Sequence, residues 1–145
     1  TLLKKTMTFV DFDGNERTET FYFNMTKAEA LDFELTTSGG MARYLARLIE
    51  GVKTPEIIAI FKDIILNAYG EKSPDGREFI KNDEIRNSFK NTEAFSDLYL
   101  ELATDAKAAA DFLNGVLPRD FEKIEAPEDA EAMKAMFKEA SEKVL

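Results

Sequence analysis

Two carboxylates near the N-terminus are the side chains in this sequence best placed to do chemistry. Asp11 and Asp13 follow an apolar run and precede Gly14, in the stretch Thr8-Phe-Val-Asp-Phe-Asp-Gly. In a metal-dependent phosphoryl-transfer site with paired aspartates, one carboxylate attacks the phosphorus atom and the second transfers a proton. The spacing therefore raises the hypothesis of a phosphohydrolase that uses Asp11 and Asp13.

The elements that would have to position such a site are not indicated by the rest of the sequence. The mechanism also needs a hydroxyl, a lysine and distal acidic ligands from further strands, whereas the later sequence predicts mainly helices. A calcium-binding EF-hand loop fails too, because Gly14 falls at loop position 4 rather than 6 and Tyr22 occupies position 12. We therefore predict no catalytic residue, no metal site and no cofactor, with the phosphohydrolase kept as an alternative.

The same stretch is typical of a tight β-hairpin. Asp13, Gly14 and Asn15 are residue types that tolerate the positive φ angles of a hairpin turn. After the turn, two sets of side chains alternate with the period of an antiparallel strand: Thr18, Thr20 and Tyr22 with Glu19, Phe21 and Phe23. We expect this second strand to have an unpaired edge through which another copy of the chain can pair, which would give a homo-oligomer.

Composition narrows the function classes further. The 145 residues include no His, Cys or Trp, which excludes disulfides, Cys/His zinc sites and Ser-His-Asp or Cys-His catalytic groups. The formal charge of −9 disfavours binding to nucleic acids or to anionic membranes, because both attract basic proteins. No apolar run is long enough to span a bilayer and no secretory signal pattern is visible, so we expect a cytoplasmic protein.

Apolar residues at helical spacing predict helices for most of the remaining chain. The third helix begins at Thr54-Pro55 and is expected to run through Tyr69, with Gly70 as its C-cap. The other predicted helices begin at Asn24 or Thr26, near residue 40, at Asn82 or Asp83, at Asn91-Thr92 and at Thr104-Asp105. The predicted fold class is α+β, a mostly helical bundle with an N-terminal β-hairpin. Residues 1–118 form the hairpin and helical domain, and residues 119–145 form an acidic linker and a C-terminal amphipathic helix.

The C-terminal helix, about residues 128–144, is the segment whose composition best suits partner binding. Met133, Met136 and Phe137 share one apolar side, and the other side is charged. Methionine-rich faces adapt to varied partners because the side chain is flexible and polarisable. Packing of this stripe back onto the domain is the alternative, and the sequence leaves both open.

Three stretches carry a family resemblance. They are residues 8–29, residues 68–80 (Ala-Tyr-Gly-Glu-Lys-Ser-Pro-Asp-Gly-Arg-Glu-Phe-Ile) and residues 92–105 with Phe112-Leu-Asn-Gly-Val-Leu-Pro118 after them. Together they resemble the tail assembly chaperones of long-tailed phages and prophages of Gram-positive bacteria. The likeness runs from about residue 4 to 118, and its motifs are turns and helix starts rather than catalytic signatures.

This resemblance implies a non-enzymatic protein of the host bacterial cytoplasm. Such a protein would bind the tape measure protein, keep that long helical chain soluble and help the tail tube protein polymerise around it. The resemblance also implies that a longer product can arise by ribosomal frameshifting. A small acidic regulator or inhibitor of a basic protein is a further alternative, suggested by the negative charge.

Overall fold

An antiparallel hairpin followed by helices builds the fold. The computed structural model describes residues 2–51 and 54–118. In these residues the strands are β1 (Leu3–Val10), β2 (Glu16–Phe23), β3 (Tyr69–Lys72) and β4 (Phe79–Ile80). The helices are α1 (Lys27–Thr36), α2 (Gly40–Ile49), α3 (Pro55–Ala68), α4 (Asp83–Lys90), α5 (Glu93–Thr104) and α6 (Ala106–Val116). The predicted α+β class is confirmed, and the domain boundary at residue 118 stays a prediction.

The predicted N-terminal hairpin is present, and its two faces differ. β1 and β2 pair from Leu3 opposite Phe23 to Val10 opposite Glu16. On the inner face Phe9, Phe21 and Phe23 are buried. On the outer face threonine hydroxyls pair across the strands at 2.9 Å, Thr6 with Thr20 and Thr8 with Thr18. The alternation seen in the sequence therefore separates a core face from a polar face.

A second, shorter hairpin corrects the prediction for the end of α3. The helix stops at Ala68, and Tyr69 and Gly70 belong to β3 rather than to a helix end with Gly70 as C-cap. Gly70 lies so close to β4 that a Cβ atom there would come within 2.8 Å of the Phe79 ring and 2.9 Å of the Ile80 carbonyl oxygen. Glycine is needed here because the neighbouring strands β3 and β4 approach closely, and not because a helix ends.

The prediction that the second strand has an unpaired edge is correct for only part of that strand. The sheet order is β1-β2-β3-β4, so β2 is an interior strand at its C-terminal end, where Tyr22 and Phe23 pair with Gly70 and Tyr69. Among the described residues, positions 16–21 of β2 have a strand partner on one side only. The prediction missed β3 because that strand is short and pairs with residues far away in the sequence.

Polar side chains cap the helices where the sequence predicted helix starts. In each case a side-chain oxygen accepts a hydrogen bond from a backbone amide of the first turn. The capping residues are Thr26, Thr54, Asn82, Thr92 and Asp105. At α1 the cap is reciprocal, since Thr26 Oγ1 accepts from the Glu29 amide and Glu29 Oε1 accepts from the Thr26 amide.

Aromatic rings join the sheet to the helices. The fully buried ring of Phe23 lies 5.2–5.8 Å from the rings of Tyr69, Phe89 and Phe112, so β2, β3, α4 and α6 meet around one side chain. Tyr44 of α2 joins α1 and α3. Its ring lies 5.8 Å from that of Phe33 in α1, and its hydroxyl donates to the Ile57 carbonyl of α3 at 3.2 Å. These contacts fix α1 beside α3.

Candidate partner-binding surfaces

The hairpin turn holds the carboxylates that suggested phosphoryl chemistry, and it uses one of them for its own geometry. Asp11 Oδ1 accepts hydrogen bonds from the amides of Asp13 and Asn15, both at 2.9 Å. Its Oδ2 accepts from Arg17 Nε at 2.7 Å. Gly14 takes the single positive φ of this turn, 82°, and donates its amide to the Asp11 carbonyl. Both carboxylate oxygens of Asp11 are thus engaged in holding the turn.

The electrostatics of the turn agree with that structural role. The hydrogen bond from Arg17 and the amides of Asn15 and Asp13 hold the pKa of Asp11 below its usual value. In residues 2–51 and 54–118, no group of three or more acidic side chains is arranged to hold a metal ion. Asp11 is therefore a turn-stabilising residue, and the phosphohydrolase hypothesis finds no additional groups in the described residues.

The tip of the hairpin exposes apolar surface instead. Phe12, between the two aspartates, leaves 77% of its surface accessible, and Val10 is also exposed. A cleft of about 280 Å³ lies beside the tip, bordered by Phe12, by Asn91 at the end of α4 and by Glu93 at the start of α5. An aromatic side chain held out by a rigid turn is suited to contact with another protein.

A larger groove lies between α1 and α3. Its volume is about 540 Å³, within the range of about 300–1,000 Å³ usual for binding clefts. Apolar side chains form its floor: Met25, Phe33, Ile60 and Ile64. Acidic side chains form its rim: Glu29 and Asp32 from α1, and Glu56 and Asp63 from α3.

The four rim carboxylates differ in whether a neighbouring cation balances their charge. Glu29 is neutralised by Lys81, whose Nζ lies 3.0 and 2.8 Å from the two carboxylate oxygens. Partial burial raises the pKa of Glu29, but hydrogen bonds from Lys81 and the Thr26 amide outweigh it, so that pKa lies below its usual value. Among the described residues, Asp32, Glu56 and Asp63 have no ion-pair partner, so the groove carries uncompensated negative charge.

Helix α1 presents further apolar surface outside the groove. Leu31 and Leu35 lie one helical turn apart and are both exposed, Leu35 with 74% of its surface accessible. Within α1, Ala30 is buried and Phe33 is half-buried against the core, so the two exposed leucines lie away from the contact with the domain. Residues four apart on a helix point in the same direction and present one contact surface.

The partner-binding residues predicted from the sequence, Met133, Met136 and Phe137, lie outside the described residues. The same holds for the proposed linker and the whole C-terminal helix, residues 119–145. The exposed surfaces described above are therefore additional to the predicted stripe and do not test it.

No helix within residues 2–51 and 54–118 is both long enough and apolar enough to cross a bilayer.

Comparison with known proteins assigns the family. The model of a family described as phage tail assembly chaperone matches residues 2–144. The chain belongs to this family. Searches of curated proteins and of solved structures gave no match. The predicted family, phage tail assembly chaperones, is thus confirmed, whereas the match does not test the predicted Gram-positive host. The match also extends through the segment that the resemblance did not cover.

The groove between α1 and α3 of this tail assembly chaperone was not predicted from the sequence. A signal for it exists in retrospect. Glu29, Asp32 and Thr36 recur at helical spacing on one side of α1, and Glu56 and Asp63 are seven residues apart on α3. Each pattern alone is an ordinary solvated helix face. Only the tertiary structure places the two acidic faces on opposite sides of an apolar floor.

Proposed function

We propose that this protein binds the tape measure protein of its phage or prophage in the cytoplasm of the bacterial host. It keeps that chain soluble and assists assembly of the tail tube around it. The observation that carries the proposal is the family match over residues 2–144. The family description supports a non-enzymatic role, since a chaperone acts by binding and release.

The surface of the domain supports a binding role. Most exposed side chains are polar or charged, and the chain carries a formal charge of −9, which favours solubility. Against this background, large apolar side chains remain exposed on the hairpin tip, α1 and α5: Val10, Phe12, Leu31, Leu35 and Leu100. An assembly chaperone needs accessible apolar surface of this kind to cover apolar surface on its partner.

Co-expression with the tape measure protein encoded by the same phage tests the proposal. The fraction of tape measure protein that stays soluble is measured, together with the fraction that co-purifies with the tagged chaperone. We expect both to rise well above the values with an unrelated acidic helical protein of similar size. A tape measure protein that stays equally insoluble with either one, and does not co-purify, would contradict the proposal.

Salt dependence separates this function from that of an acidic regulator that binds a basic protein by charge alone. Exposed charge pairs are screened over about 8–10 Å at physiological ionic strength, so purely electrostatic binding weakens steeply with salt. Binding that buries apolar surface persists in high salt. We expect the complex to survive a wash with about 0.5 M NaCl, where the Debye length falls below that in physiological salt.

A further inference from the structure

We infer that the groove between α1 and α3 is a docking site for a basic amphipathic helix of the partner. The occupant presents apolar side chains to the floor and lysine or arginine side chains to the rim. The inference deepens the proposed function and rests on it, because the partner helix is taken to be a segment of the tape measure protein.

The apolar floor supplies the contact surface. Met25 and Ile64 are buried, and Phe33 and Ile60 are half-buried, at the bottom of the groove. The lining residues on α3 run from Glu56 to Asn67, which at 1.5 Å per residue is about 16 Å. A groove of that length accommodates about three helical turns, and hence apolar side chains at positions i, i+3 or i+4, and i+7 of a partner helix.

The acidic rim determines the charge of the occupant. Asp32 on one side and Asp63 and Glu56 on the other are exposed and, among the described residues, have no ion-pair partner. A helix seated on the floor brings the residues that flank its apolar stripe close to these carboxylates. Lysine or arginine at those positions is attracted, and glutamate or aspartate is repelled.

Charge also argues against two other occupants. A second copy of this chain carries a formal charge of −9, so its approach to an acidic rim is unfavourable. Residues 119–145 of the same chain carry five basic and eight acidic side chains, which makes this segment a poorer match than a basic helix. A basic segment of a different protein is the occupant that the charges favour.

A charge-reversal experiment on the full chain tests the inference. The test variant is Asp32→Lys with Asp63→Lys, both exposed and within helices. The matched control is Asp97→Lys with Asp111→Lys, which makes the same change at exposed helical positions of α5 and α6 away from the groove. The probes are synthetic peptides that tile the tape measure protein, and a designed helical peptide with a leucine stripe flanked by lysines. Affinities are measured by fluorescence anisotropy.

We expect the peptides that bind to be basic and amphipathic. The test variant should bind them about tenfold or more weakly, and the control within about twofold of the unmodified protein. Replacing the flanking lysines of the bound peptide by glutamate should restore its binding to the test variant. Circular dichroism on both variants establishes that each one is folded.

The outcomes separate the docking site from the proposed function. If the test variant and the control lose affinity equally while the full-length tape measure protein is still captured, the groove is not the site and the proposed function stands. If the full-length tape measure protein is not captured at all, the proposed function fails. In that case, groove-dependent binding of the designed basic peptide would still support the chemistry of the site, and its absence would overturn it.

Discussion

The ammonium group of Lys81 contacts both carboxylate oxygens of Glu29, at 3.0 and 2.8 Å, and also donates to the Asn24 carbonyl at 2.7 Å. Lys81 and Glu29 are 52 residues apart in sequence. The same carboxylate caps the first turn of α1 through the Thr26 amide. One ion pair therefore ties the start of α1, and with it one wall of the groove, to the segment between β4 and α4.

Breaking this ion pair should destabilise the domain measurably. The Lys81 side chain is only 13% exposed, so Lys81→Met removes a partly buried cation and leaves Glu29 without its partner. We expect the free energy of unfolding to fall by about 1–2 kcal/mol, the range for a hydrogen-bonded charge at a partly solvated site. Urea denaturation monitored by circular dichroism measures this change in the free energy of unfolding.

A double-mutant cycle isolates the pair. Glu29→Gln removes the charge and keeps an oxygen that can accept from the Thr26 amide, so the capping box is preserved. The coupling energy between Lys81→Met and Glu29→Gln should be about 1 kcal/mol. Lys107→Met, at an exposed position of α6, should change stability by less than about 0.5 kcal/mol. A coupling energy near zero would show that the contact is not energetically important.

Acidification should destabilise the protein partly through its turns. In the folded state the pKa of Asp11 is lowered by Arg17 and by turn amides, and that of Asp75 by the Ser73 hydroxyl and the Arg77 amide. A carboxylate whose pKa is lowered by folding stabilises the folded state at pH values above its pKa in the unfolded chain, about 3.9. This stabilisation is lost as the pH falls through the pKa of the folded state. We expect Tm to fall as the pH drops below about 4.

Asp11→Asn tests which group is responsible. The variant should have a lower Tm than the unmodified protein at neutral pH, because Arg17 loses its anionic partner. The difference should shrink as the pH falls below about 4 and through the lowered pKa of folded Asp11, because Asp11 then loses its own charge. The Asp13 side chain accepts none of the turn hydrogen bonds in which Asp11 takes part, so Asp13→Asn is the matched control. A Tm difference for Asp11→Asn that is constant with pH would contradict this account.

A methyl group at Gly70 should disrupt the second hairpin. Its Cβ would meet the Phe79 ring at 2.8 Å and the Ile80 carbonyl at 2.9 Å, and the carbonyl belongs to the backbone of the neighbouring strand. We expect Gly70→Ala to lower the free energy of unfolding by about 1–3 kcal/mol, the usual range for overpacking. Gly115→Ala is the comparison, because the three atoms nearest its Cβ would all belong to the Leu3 side chain rather than to backbone, and α6 gains helix propensity. If chemical denaturation showed that Gly70→Ala and Gly115→Ala lower the free energy of unfolding equally, the clash with the backbone would be refuted.

Local sequence signals predicted local structure well in this protein. The first hairpin was predicted from Asp13, Gly14 and Asn15 in the turn and from alternation along the strands, and of these three turn residues only Gly14 has a positive φ. The helix starts at Thr54 and Asp105 depend on side chains that reach amides two or three residues away. Each of these signals is complete within a few residues, so no knowledge of tertiary structure was needed.

Features that depend on distant residues were not predictable in the same way. Gly70 after a helical run looks like a C-cap in sequence, and only its pairing with Tyr22 of β2 shows that it belongs to a strand. The groove depends on α1 lying beside α3, which the buried Tyr44 secures through contacts with both helices. The local sequence patterns at these positions do not specify their partners, because the interacting residues lie far apart in the sequence.

The apolar stripe of the C-terminal segment remains a separate prediction about partner binding. Replacing Met133, Met136 and Phe137 together by serine removes the apolar surface that the sequence assigns to one side of the predicted helix. Replacing Glu131, Lys134 and Lys138 by serine is the matched control, with the same number of changes at charged positions of the same segment. We expect the first variant to capture less tape measure protein in the co-expression assay than the control does, with the urea midpoint unchanged in both. A fall in the midpoint of the first variant alone would mean that the stripe packs onto the domain. In that case the groove between α1 and α3 becomes the principal candidate for the partner-binding surface.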